Sequence, residues 1–289
     1  MKSALQKSPI PQTHAFVAKH LKEPIFDPNW HFHPEYQLFM VLKGSGTRFI
    51  GDNVKPFKPG DITFTGPDLP HLWRSDQETA AVNTPNPCEG IVVYFNENLV
   101  GNTLLQKEET IRIRQLYKKS LRGLDVTGKT GKTVHKMLSK LLGLQGFDGV
   151  LELLKILNIL SQSNELRPLA SAGYTNSLRE GDTERMNKVY VYVMKRFRQK
   201  MAVAELAALT NMTPTSFSRY FRIHANKTFS EFVSEIRIGH ACKLLIEKKM
   251  NVSQACYASG FQTLSNFNKQ FKTITKKTPM AYKQEYQVV

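Results

Sequence analysis

Between Trp30 and Phe95 apolar residues come in runs of four to six, separated by short turn-forming clusters. Gln37-Leu38-Phe39-Met40-Val41-Leu42 is followed by Lys43-Gly44-Ser45-Gly46 and then by Thr47-Arg48-Phe49-Ile50. Asp61-Ile62-Thr63-Phe64-Thr65 and Gly90-Ile91-Val92-Val93-Tyr94-Phe95 repeat the pattern farther on. Runs of this length, bounded by Gly, Asp-Asn and Pro-Gly, predict antiparallel strands and hairpins and hence a small β-barrel or sandwich. From about Thr103 to Ser161 the spacing becomes helical, through Leu138, Leu141, Leu142 and Leu144 and again from Val150 to Leu160, which predicts two or three helices after the barrel. The second of these runs is apolar around most of its circumference. It needs cover on more than one face, from its own barrel or, equally well, from a second subunit.

The stretch from 162 to 183 is rich in Ser, Asn, Gly and Arg and lacks an apolar period, which predicts a linker. It divides the chain into an N-terminal domain, residues 1–161, and a C-terminal domain, residues 184–289. The second domain reads as all-α. A first helix is expected from about Glu184 to Gln199, with Met186, Val189, Tyr190, Val193 and Phe197 on one face. Met201 to Ala207 opens a short helix, and Thr213-Pro214 starts another, with Thr as N-cap and Pro in the first turn. Two short helices joined by Thr210-Asn211-Met212 make a helix-turn-helix unit. The unit recurs: Phe217, Phe221, Arg222, Thr228 and Phe232 return fifty residues later as Phe267, Phe271, Lys272, Thr278 and Tyr282. Upstream, Leu206-Ala207 matches Ala255-Cys256, so the second turn is one residue longer. Phe229 to Lys249, with Phe232, Ile236, Ile238, Ala241, Leu244 and Leu245 apolar, predicts a long helix connecting the copies rigidly.

Charge gives this duplication a partner. The 289 residues carry 40 Lys and Arg against 24 Asp and Glu, a net +16, and from Asp182 onward 18 basic residues face 7 acidic ones. A cationic domain of that size attracts a polyanion, most often nucleic acid. No apolar stretch is long enough to cross a bilayer, and the basic N-terminus leads into no apolar core, so the cytoplasm is the expected location and no membrane partner is expected. Cys88, Cys242 and Cys256 are too few and too scattered for a disulfide framework or a cysteine zinc site, and read as buried thiols.

In a helix-turn-helix the second helix offers its outward residues to the major groove of double-stranded DNA, which is about 12 Å wide. With Phe217 and Phe221 facing the core, Thr215, Ser218, Arg219 and Arg222 point outward. In the second copy Phe267 and Phe271 anchor the helix, leaving Leu264, Ser265, Asn268, Lys269 and Lys272. Two such helices suit successive groove faces one turn, roughly 34 Å, apart. The segment from Ala255 to Lys283 resembles the signature region of the AraC/XylS family of transcription regulators, through Gly260-Phe261, Ser265, Phe267, Phe271-Lys272, Thr278-Pro279 and Tyr282. The resemblance covers roughly Glu184 to Lys283. Lys276 departs from it, standing where the family usually has Gly, and Ala255-Cys256 stands where Ile-Ala is usual.

His31-Phe32-His33-Pro34-Glu35-Tyr36-Gln37, then Gly44, Pro59-Gly60-Asp61 and His71, are similar to the two cupin motifs. Metal-binding cupins gather an H-x-H pair, a carboxylate four residues on and a distant His around one ion. Here Gln37 replaces the carboxylate, which lowers affinity for a cation, so no metal and no cofactor is expected and Glu35 is expected on the opposite side of its strand. The family resemblance implies a barrel that binds a small-molecule effector and dimerises. His31, His33, Gln37, Arg48, His71 and Trp73 are the candidate contacts, suited to a sugar or, if Arg48 faces inward, an organic acid. The resulting expectation is a homodimeric, sequence-specific DNA-binding regulator, an activator that touches RNA polymerase. Two other classes compete. A cupin enzyme would use His31, His33 and His71 to hold iron or manganese, but Gln37 and the duplicated basic domain weigh against it, and no catalytic nucleophile, Gly-rich phosphate loop or paired carboxylate stands out. An architectural DNA-binding protein would account for the charge but not for the barrel.

Overall fold

The computed structural model describes residues 10–76, 88–174, 180–246 and 250–287. The chain divides into two compact units, one of residues 1–53 and 57–176 and the other mainly of residues 177–289. The first holds strands β1 (Phe16–Glu23), β2 (Tyr36–Lys43), β3 (Gly46–Ile50), β4 (Asn53–Phe57), β5 (Ile62–Thr65), β6 (His71–Ser75) and β7 (Cys88–Phe95). A short helix α1 (Asn102–Leu105), α2 (Ile111–Ser120), β8 (Leu124–Val126), α3 (Gly128–Leu141), α4 (Gly146–Gln162) and β9 (Leu166–Pro168) follow. The strands make a six-stranded sheet in the order β1-β7-β2-β5-β8-β9 and a three-stranded sheet β4-β3-β6. Gly44 turns β2 into β3 at φ 95°, with Cys88 Sγ 2.7 Å from where a Cβ would stand, so only Gly fits there.

The larger sheet is covered on both faces, which is why β2 reads as an almost unbroken apolar run. Leu38 and Met40 join Phe64, Val93 and the α3 and α4 residues Val134, Leu138, Leu153 and Ile156 in one core. Phe39 and Val41, on the other face, pack with Phe26, Ile50, Phe57, Leu69, Trp73 and Val92 between the sheets. The helical face of α4 that meets the sheet is buried, while Phe147 and Leu151 are 70% and 40% exposed.

The expected linker, 162–183, needs correction, because most of it belongs to the first unit. β9 pairs antiparallel with β8, Leu169 and Ala170 are buried, and the Ser171 N–H donates to Asp52 at 2.9 Å. Three residues of edge strand carry no periodicity that a sequence could display, and their pairing partner lies some forty residues away. The boundary therefore moves to about 176, and the first C-terminal helix begins at Glu180 rather than Glu184.

The second unit is all-α: α5 (Glu180–Arg196), α6 (Val203–Leu209), α7 (Pro214–Ala225), α8 (Phe229–Ile246), α9 (Val252–Ala258), α10 (Leu264–Thr275) and α11 (Pro279–Gln287). Both copies of the repeat are visible in detail. Thr213 and Thr263 cap α7 and α10, their side chains accepting from Ser216 N–H and Asn266 N–H at 3.2 and 3.3 Å. The turns carry left-handed residues at Asn211 (φ 56°) and Gly260 (φ 86°). The Met212 N–H donates to Ala207 O in the first turn, as the Phe261 N–H does to Cys256 O in the second, leaving Gln262 as the additional residue. Phe217, Phe221, Phe267 and Phe271 are all fully buried, each side chain contributing about 1.5–3 kcal/mol by leaving water. Cys88, Cys242 and Cys256 are buried free thiols. No described helix is long and apolar enough to cross a membrane.

Candidate nucleic-acid interface and barrel site

Helices α7 and α10 present equivalent surfaces. Thr215, Ser218, Arg219 and Arg222 are exposed on α7, and Ser265, Asn268, Lys269 and Lys272 are exposed fifty positions later on α10. Each helix therefore shows hydroxyl or amide groups beside two cations, on the face opposite its phenylalanine pair. Leu264 differs from expectation: it is half-buried and packs against the cluster around Phe261 and Phe267 instead of facing outward. A residue at the first position of a helix lies next to the preceding turn, and here that turn carries Phe261. Two exposed residues that sequence reasoning passed over, Ser216 and Asn266, occupy matching places in the first turns of α7 and α10. The fifty-residue offset would have found them.

In the barrel, His31, His33, Gln37, Arg48, His71 and Trp73 are all buried, and they fall into distinct groups. The three histidines converge, one ring nitrogen of each lying within 4.8 Å of the others. His31 Nδ1 bonds Asn29 O at 2.8 Å, His33 Nδ1 bonds Glu35 O at 3.1 Å, and His71 Nδ1 bonds Leu69 O at 2.7 Å. A carbonyl only accepts, so each Nδ1 donates its proton to it. His71 Nε2 is buried without a hydrogen-bond partner. Burial, followed by the neighbouring His31 and His33, holds the His71 imidazole well below the ordinary histidine range and so neutral. Gln37 Oε1 lies 3.1 Å from His33 Nε2 and can accept a hydrogen bond from it.

Arg48 faces inward and forms a 2.9 Å ion pair with Asp125 on β8, while its Nε and Nη1 are buried without hydrogen-bond partners. Trp73 belongs to the hydrophobic core, its ring 4.4 Å from that of Phe39. It is best read as packing that walls the site. Glu35 also departs from expectation. It is buried, with Oε2 3.4 Å from His33 Nδ1, because the chain bends at Pro34-Glu35 and strand alternation starts only at Tyr36. Tyr94, absent from the sequence-based set, stands edge-on to His33 at 5.2 Å, its hydroxyl pushed up to about 12 by burial and then by Glu35. Thr63, Thr65 and Asp125 fill neighbouring inward positions, and counting alternate residues along β5 and β8 would have pointed to them.

Three imidazoles with carbonyl-bound Nδ1 groups form a donor set that, in its neutral form, fits a borderline divalent ion such as zinc, with a position left open. His31, His33 and His71 would hold it. Gln37 brings no negative charge, so such an ion would keep its full positive charge toward any further ligand.

A family model described as "Helix-turn-helix domain" matches residues 206–285, and one described as "Cupin domain" matches residues 23–84. The chain thus joins a region that matches a cupin domain to one that matches a helix-turn-helix domain. The HTH-type transcriptional regulator GlxA of Rhizobium meliloti is 32% identical over 74 residues, 26% of this chain and 23% of that protein. The uncharacterized HTH-type transcriptional regulator YdeC of Bacillus subtilis is 27% identical over 101 residues, 35% of each chain. The chain thus spans about a quarter to a third of the length of these curated relatives. Among solved structures, unsaturated fatty acid-bound ToxT of Vibrio cholerae aligns over 97% of this chain and 99% of its own, at 17% identity and a TM-score of 0.37. The DNA-binding domain of AdpA in complex with a target DNA aligns over 36% and 94%, at 21% identity and a TM-score of 0.34. Within the helix-turn-helix match lie all the exposed candidates of α7 and α10, and within the cupin match lie the three histidines, Gln37, Arg48 and Trp73. Tyr94 and Asp125 fall beyond the cupin match.

Proposed function

We propose that this chain is a sequence-specific DNA-binding transcription regulator whose α7 and α10 enter successive major grooves. The observation that carries the reading is the equivalence of those helices: the same cap, the same buried phenylalanine pair and the same exposed polar-plus-cationic positions, joined in one compact unit. Curated relatives of this domain named as transcriptional regulators support it. The decisive experiment is selection of binding sites from random duplexes by the purified protein. A two-part motif spaced by about one helical turn is the expected result, whereas equal retention of all sequences would leave only the architectural reading.

The polar interior of the cupin domain is proposed as the effector site, with His31, His33, Gln37, Arg48 and His71 as contacts and Trp73 as its wall. The uncommitted Nε and Nη1 of Arg48 favour an organic acid over a sugar. Thermal-shift screening of carboxylic acids against neutral sugars tests the choice, and stabilisation by sugars alone would reverse it. Homodimerisation through the exposed edge of α4, activation, and contact with RNA polymerase complete the proposal. Effector binding would act by favouring one presentation of the DNA-binding domain over another.

A further inference from the structure

The two recognition helices read one composite site only if their relation is fixed, and the connecting helix α8 passes between two separate cores. Its first half packs on the first helix-turn-helix: Phe232 lies 5.3 Å from Phe221 and 5.2 Å from Tyr190 of α5. Its second half, from Ile238 to Leu245, belongs to the core with Phe261, Phe267 and Phe271. Arg237 sits at the change-over. Its guanidinium donates from Nε to Phe197 O at 2.6 Å and from Nη2 to Gln199 O at 2.8 Å. These carbonyls follow the last turn of α5, where intrahelical donors have run out and a cation is electrostatically favoured. The same guanidinium lies 5.8 Å above the ring of Phe261, which meets Phe267 of α10 edge-on at 5.3 Å. On that side the second turn presses on the same segment: a Cβ at Gly260 would stand 2.6 Å from Arg198 Cα and from Arg198 O. Apolar filling does not fix the junction unaided, because a cleft of about 510 Å³ lined by Lys200, Val233, Arg237, Thr263 and Asn266 opens beside it.

We propose that Arg237 is a positioning residue that sets the spacing and orientation of α7 relative to α10, by tying the Phe197–Gln199 segment that leads from α5 into the first helix-turn-helix to the Gly260–Phe261 turn of the second. The inference rests on the DNA-reading function proposed above and identifies the part of the fold that makes two half-sites into one. Removing the guanidinium leaves each recognition helix with its own core and cap, so each half-site is still bound. What is lost is the pre-set distance that makes the second contact intramolecular.

The test compares the full-length protein with Arg237→Met and Arg237→Lys on three kinds of duplex: the selected two-part site, the same site with its halves moved by one or two base pairs, and a single half-site. Arg237→Met is expected to bind the two-part site about tenfold more weakly, to bind the single half-site as before, and to lose its preference for one spacing. Arg237→Lys, which keeps a donor cation, is expected to recover part of that preference. An equal loss on single and paired sites, or an unchanged spacing profile, overturns the proposal.

A second measurement needs no DNA. Nitroxides at Ile223→Cys and Thr273→Cys, exposed equivalent positions of α7 and α10, report the interhelix distance by pulsed electron resonance, the native cysteines being buried. A broader distance distribution in Arg237→Met supports the clamp, and an identical one overturns it. If the unmodified protein shows no sequence preference at all, the regulator reading fails, and the distance measurement still decides the role of Arg237.

Discussion

Lys276 ends α10 in the left-handed conformation, φ 62°, as Asn226 ends α7 at φ 52°. A Cβ there crowds the following carbonyl, and Asn, whose short polar side chain can hydrogen-bond its own backbone, enters that region more readily than Lys. The family resemblance marked position 276 as a departure from Gly, and the geometry gives the reason for the usual residue. Lys276→Gly is therefore expected to raise the stability of the full chain by about 0.5–1 kcal/mol in urea unfolding. Its Nζ bond to Thr273 O, at 2.9 Å, is exposed and offsets little. Arg219 and Lys269 occupy equivalent exposed positions. Each changed to Ala is expected to weaken binding to the selected duplex by about 1–3 kcal/mol where the side chain reads a base, with specificity relaxed at one position. A uniform loss on all sequences, with a shallower salt dependence, would identify phosphate contacts instead. At this scale the exposed face of α7 and of α10 was legible, because helical spacing alone separates it from the phenylalanines. The fates of Leu264, Trp73 and Glu35 were not, since each depends on a neighbour brought in by the turn or by another strand.

The elements of the second unit were legible as well, down to the Thr213 cap and Pro214, because caps and turns are local chemistry. Helix α3 shows the opposite case. Its N-terminus is held by a carboxylate from far along the chain: Glu165 accepts from Lys129 N–H at 3.2 Å and from Thr130 N–H at 2.7 Å. Those bonds, Thr130 first, hold the Glu165 carboxyl below its ordinary 4.5. A depressed carboxylate contributes stability that is present above the unfolded value and is lost as pH falls through the folded one. Glu165→Gln is thus expected to lower the melting temperature at neutral pH. The gap to the unmodified protein should close on acidification below about 4.5. A gap independent of pH would mean that the side chain acts by packing. The same distant cap explains why the stretch after 162 looked like a linker: its structure is tertiary, supplied by β8, Asp52 and the start of α3.

For the whole molecule, the division into a β-rich and an all-α half was legible from the change of hydrophobic period and from the internal repeat. The proposed homodimer is tested at α4, whose Phe147 and Leu151 remain exposed beside a fully buried inner face. Phe147→Asp is expected to shift the protein from dimer toward monomer in sedimentation while leaving its circular dichroism unchanged. An unaltered mass would place the homodimer contact elsewhere or remove it. The two helix-turn-helix copies are equivalent in build but not in lettering: one offers Thr, Ser and two Arg, the other Ser, Asn and two Lys. On the proposed function, a duplex read by both would have a head and a tail, and a bound chain would face one way along it. Turning the site around would turn the protein with it, so the order of the two half-sites carries information about direction that a pair of identical readers could not convey.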